Sequence, residues 1–113
     1  MARPKRDIEP AMSHSITLCR YWVKAEKESE FKTLLQKHWP IFQSLDLVSD
    51  AVPHLVFRGE DKSRGIFYVE TFPWKDQDAM HRAHSLPEVS AVWGPMGACC
   101  SEMEFPSVEA IDV

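Results

Sequence analysis

The chain has 113 residues, a mass of 13.0 kDa and a net charge of -4. That is the length of one domain, and a pI of about 5.7 argues against a nucleic-acid-binding surface. Six Phe, four Trp and two Tyr can support a packed core, which argues against disorder, and no apolar run reaches the roughly 18 residues of a membrane span. A core of this size is modest, so a large pocket needs walls from a second subunit.

Residues 1–13 read as an N-terminal tail, since MARPKRDIEP is followed by no apolar run of the secretory kind. Cys19, Cys99 and Cys100 are odd in number and include a vicinal pair. That argues against a disulfide framework and points to a reducing, cytoplasmic setting. Residues 15–23 (SITLCRYWV) alternate as a strand, with Ile16, Leu18, Arg20 and Trp22 on one face and Thr17, Cys19, Tyr21 and Val23 on the other. The period then changes. Phe31, Leu34, Leu35, His38, Trp39, Phe42 and Leu45 form one stripe of a helix over about 26–45, and Pro40 should kink it.

Residues 54–59 (HLVFRG) and 65–72 (GIFYVETF) alternate again around the polar turn Glu60 to Gly65, which predicts an antiparallel hairpin. In the second strand Ile66, Tyr68, Glu70 and Phe72 share a face. Trp74 to His84 reads as a helix with Asp76 and Asp78 near its positive end. Ser85-Leu86-Pro87-Glu88 has the pattern of a capping box, starting a second segment that Gly94, Pro95 and Gly97 break. Residues 97–105 are the last strand, and 107–113 a C-terminal tail. One domain thus spans 14–106.

The order β-α-β-β-α-β predicts a ferredoxin-like α+β fold, a four-stranded antiparallel sheet with both helices on one face. Its strands carry apolar groups on both sides, and two helices cover only one. The second face therefore calls for a twin subunit, and the expected partner is a second copy of the chain.

The segments KAEKESEF, YVETFPW and WKDQDAMHRAHSLPEVSAV resemble the dimeric α+β barrel superfamily, and within it the chain is similar to antibiotic biosynthesis monooxygenase (ABM) domains. The resemblance runs from residue 15 to about 105. It implies a homodimer and a cofactor-independent monooxygenase acting on a small aromatic or polyketide-like substrate. The chain departs from the pattern in one respect, for it contains no asparagine. Haem-degrading members use an asparagine, a tryptophan and a histidine, and Ala83 and Trp93 stand near the last two positions. Quinone-forming members use asparagine, tryptophan and arginine, for which only Trp74 and Arg58 or Arg82 could stand in.

The residues themselves suggest a site. Imidazole accepts a proton near neutral pH, so His84 is the expected general base. Glu70, an acid among aromatics, must be paired; it either pairs with Arg20 or Arg58 or orients a histidine. Arg58 is the expected cation for a substrate anion, alongside the Trp74 N–H. His38 lies in the apolar stripe, as a core residue or as a pocket partner of Glu70 or Arg58. Trp22, Trp39, Trp74 and Trp93 are expected to wall an apolar cavity for a small flat molecule. His38, His54, His81, His84 and Glu70 show no recognised metal-ligand spacing, so neither metal nor cofactor is expected. The alternative function is a non-catalytic ligand-binding or stress-related dimer with the same cavity.

Overall fold

The period-two segments build a sheet and the period-3.6 stripe lies across it. The computed structural model describes residues 16–109, 111 and 112; the N-terminal tail over 1–13 lies outside the described residues. Strand β1 is Ile16–Val23, helix α1 Glu28–Ser44, strands β2 and β3 are Leu55–Asp61 and Gly65–Pro73, helices α2 and α3 are Gln77–Ser85 and Pro87–Ala98, and strand β4 is Cys100–Glu104. A 3-10 turn, Ala25–Lys27, leads into α1. The sheet is antiparallel in the order β2-β3-β1-β4. The ferredoxin-like fold is the one the residue pattern predicts. A short strand β5, Ser107–Val108, pairs with Ile16 and Thr17, where the sequence suggests only a tail.

Register decides which side chains meet. Cys19 lies opposite Glu70 and Tyr21 opposite Tyr68, while Val56 flanks Glu70 from the other side. Phe72 lies two residues beyond Glu70 on the same face. Cys19, Tyr21, Tyr68, Glu70 and Phe72 are buried beneath the helices, against Phe31, Leu35 and Phe42 of α1 and Val89, Val92 and Met96 of α3. The first helix therefore buries the stripe that its spacing predicts.

Four local expectations are corrected. Helix α2 starts at Gln77 rather than Trp74, because Trp74 pairs with Val48 and the Lys75 N–H donates to the Leu47 carbonyl. Asp76 is the N-cap, accepting from the Ala79 N–H at 2.8 Å. Ser85 caps nothing; its hydroxyl donates back to the Arg82 carbonyl, and Leu86 precedes Pro87 at the start of α3. Gly94, Pro95 and Gly97 do not end α3, which runs to Ala98, so β4 begins only at Cys100. Pro40 and Pro95 each remove the donor for a carbonyl one turn back. Those carbonyls belong to Gln36 and Ala91, both exposed, where water can serve them.

The sheet face away from the helices is apolar at its centre. Leu18, Phe67 and Val69 are half-buried there, and Leu55 and Phe57 of the edge strand β2 are 46% and 57% exposed. Trp22 also lies on this face. Its ring is covered by Phe67 at 5.1 Å and by the Arg64 guanidinium at 3.7 Å, and its indole N–H donates to Glu104. Gly59 faces Phe67 across the hairpin, where a β-carbon would come within 2.6 Å of the ring. No helix among the described residues is long and apolar enough to cross a membrane.

Candidate functional site

Between the sheet and the helices lies a cavity of about 370 Å³. Its walls come from β1 (Thr17, Cys19, Tyr21), α1 (His38, Phe42), β3 (Phe72), the β3–α2 turn (Trp74), α2 (Met80, His84), α3 (Trp93) and the last strand and its exit (Met103, Phe105). This lining holds no lysine or arginine. An apolar hollow with a few polar atoms is the usual form of a small-molecule site.

The polar chemistry is concentrated behind one wall. Glu70 is 0% exposed and accepts three hydrogen bonds. His38 Nε2 lies 2.6 Å and His54 Nε2 2.7 Å from Oε2, and the Tyr21 hydroxyl donates to Oε1 at 2.7 Å. Burial pushes the Glu70 carboxyl up, but the bonds from His38, His54 and Tyr21 outweigh it and hold it at about 2. Burial and the Glu70 charge push the Tyr21 phenol well up, and the Cys19 thiol up to about 12. The carboxylate is thus the one anion of the cluster.

An ionised carboxylate only accepts, so both Nε2 atoms carry the hydrogen. A neutral His38 therefore has a bare lone pair at Nδ1. Among the described residues that atom is buried and has no partner, and the same holds for the Trp74 indole Nε1. Both rings line the cavity. Buried polar atoms are nearly always paired, so two orphans on residues that line one hollow are exceptions that a ligand could account for.

The rings are fixed in place. His38 stacks on Phe42, with centroids 4.8 Å apart. His54 lies flat on Trp39, with centroids 3.8 Å apart and planes 3° from parallel. The side chain of His54 is 20% exposed, and with Trp39, Leu35, Val56 and Tyr68 it lines an outer groove of about 440 Å³. Glu70 thus joins an imidazole that lines the inner cavity to one on the outer groove.

The structure places the sequence-derived site residues in three groups. His38, His84, Trp74 and Trp93 line the inner cavity, with His84 5.1 Å from the Trp93 ring centroid. Glu70 reaches that cavity through His38 and Tyr21 rather than lining it. Arg58, Trp22 and Trp39 do not reach it. Arg58 is exposed and ion-paired with Glu28 and Glu60. Arg20 pairs with Glu104, so neither arginine neutralises Glu70. Trp22 is on the opposite sheet face, as its alternation with Tyr21 requires, and Trp39 belongs to the outer groove. The sequence reading missed His54 and Tyr21 as partners of Glu70. Tyr21 was signalled by its place on the Cys19 face.

Comparison with known protein families and with curated proteins finds no match. Solved structures do match. SnoaB, a cofactor-independent oxygenase from Streptomyces nogalater, superposes with a TM-score of 0.64 at 22% identity, over 88% of this chain and 96% of that one. An antibiotic biosynthesis monooxygenase superposes at 0.64 and 13% identity, over 86% and 98%. The chain has the ABM-like fold. Rv0793 from Mycobacterium tuberculosis shares it at a TM-score of 0.64 and 11% identity, over 87% and 95%. At these identities the likeness concerns the ABM-like backbone, and the chemistry has to come from the side chains.

Proposed function

We propose that this protein is a cofactor-independent monooxygenase for a small, flat, uncharged aromatic or polyketide-like molecule, with His38 as its general base. The observation that carries the reading is the unpartnered Nδ1 of His38 on an apolar cavity, backed through Nε2 by the ionised Glu70. A carboxylate behind an imidazole fixes its tautomer and stabilises the imidazolium that forms. Oxygenase activity in the structural neighbour SnoaB supports the reaction class.

In this reading His38 Nδ1 removes a proton from an activated phenol or enol carbon. The Trp74 N–H steadies the oxyanion, in a site shielded from water. The electron-rich anion passes one electron to dioxygen, and the radical pair combines at carbon as a peroxide anion. His38 returns the proton as the peroxide O–O bond breaks. Loss of water then leaves a new carbonyl, so a CH2 group and O2 become C=O and H2O. His84, at the cavity wall beside Trp93, shapes the ligand's seat.

Oxygen consumption with a panel of hydroquinones and acidic polycyclic phenols tests the proposal. Uptake of one O2 per product carbonyl is expected from metal-free protein. Binding of the panel with no uptake would leave a ligand-binding protein without turnover.

We also infer that the apolar sheet face is covered by a second copy. Light scattering should give about twice 13.0 kDa. Phe57, which is 57% exposed on the edge strand of that face, should be essential to it, so Phe57→Lys should shift the mass to the monomer. A native protein already monomeric at working concentration would rule the dimer out.

A further inference from the structure

We propose that His38, His54 and Glu70 form a binding site for a divalent transition-metal ion, Zn2+ in particular, reached from the outer groove. The proposal goes beyond the oxygenase reading, and it concerns Oε2, the carboxylate oxygen that His38 and His54 share.

Three elements far apart in sequence bring the donors together. His38 comes from the middle of α1, His54 from the segment just before β2, and Glu70 from β3. One ligand atom from each lies within 4.8 Å of the others. Two imidazoles and one carboxylate suit zinc, and three protein ligands leave a fourth position for water. The set is buried, with His38 1% and Glu70 0% exposed. Tyr21 holds the other carboxylate oxygen, and Phe42 and Trp39 fix the two rings. Such outer partners are what orient metal ligands.

The present spacing is that of a hydrogen-bonded cluster, with both Nε2 atoms 2.6–2.7 Å from Oε2. A tetrahedral zinc with bonds of ~2.0–2.1 Å holds its donor atoms roughly 3.3 Å apart, so the cluster must open by roughly 0.7 Å. His54 can open its own contact, since it lies outside the strands and is part-exposed on the groove, and a turn of the Glu70 carboxylate about its last side-chain bond would have to open the one to His38. Metal binding takes the lone pair at each Nε2, so the hydrogen held there moves to Nδ1 and each imidazole stays neutral. The hydrogen on His38 then sits at Nδ1, facing the cavity as a donor. The ion and the base function therefore exclude each other: a loaded site has no lone pair for a substrate proton.

Titration of the chelator-stripped full chain with Zn2+ by calorimetry tests the site. One ion per chain is expected. His54→Ala should weaken binding on the order of 100-fold, whereas His81→Ala should leave it unchanged. In protein labelled with 15N at histidine, Zn2+ should move the hydrogen of His38 from Nε2 to Nδ1. Absence of stoichiometric binding, equal affinity in His54→Ala, or an unmoved His38 hydrogen would overturn the proposal. None of these readouts uses turnover. Zinc binding through His54 together with no oxygen uptake by the metal-free protein would overturn the oxygenase reading alone.

Discussion

Replacing His38 with alanine should lower oxygen uptake by ~10²–10⁴-fold, the usual contribution of a positioned general base. His38→Gln should lose as much, since an amide can donate to Glu70 but cannot take the substrate proton. The paired variants separate loss of the base from loss of the hydrogen bond behind it. His84→Ala should cost less than ~10-fold in the same assay. His84 lines the cavity too, yet it is exposed and has no hydrogen-bonded carboxylate behind it among the described residues. A large loss in His84→Ala beside a small one in His38→Ala would reverse the assignment.

The second large effect is on stability. Glu70→Gln should destabilise the fold by ~2–3 kcal/mol, because an amide cannot accept all three hydrogen bonds that the buried carboxylate accepts. Urea denaturation should show a lower midpoint with an unchanged slope. The pH dependence follows from the same carboxylate. Its folded pKa, at about 2, lies below the ordinary value of 4.5. As pH falls the unfolded chain takes up the proton first, so the stabilisation is complete above about 4.5 and is lost toward 2. Native protein should lose stability steeply across that window, and Glu70→Gln should be flatter there. Parallel curves for the two proteins would show that Glu70 does not anchor the fold.

The elements were legible where one periodicity ran unbroken. The stripe Phe31, Leu35, His38, Phe42 marks α1, and the alternation around Glu60 to Gly65 marks the hairpin. Breaker residues misled where tertiary packing prevailed. Val92 and Met96 hold α3 together past Gly94 and Pro95 because the stripe they share is buried. The site was legible in part. Glu70 among aromatics pointed to a hidden partner, but the partners are set by register and by the crossing of α1. Nothing in HLVFRG shows that His54 turns inward to meet it. The four tryptophans show the limit of residue type as a guide. Two reach the cavity, and Trp22 cannot, because parity along β1 sends it to the other face.

The three bonds to Glu70 tie together segments that begin with Tyr21 and end with the carboxylate itself, 49 positions later. The His38 bond cannot form before α1 has docked, nor the Tyr21 bond before the hairpin has found its place beside β1. Local structure can nucleate early, but closing so many residues into one knot of polar atoms delays the final step. The chemistry-bearing centre is therefore assembled late in the folding of the chain.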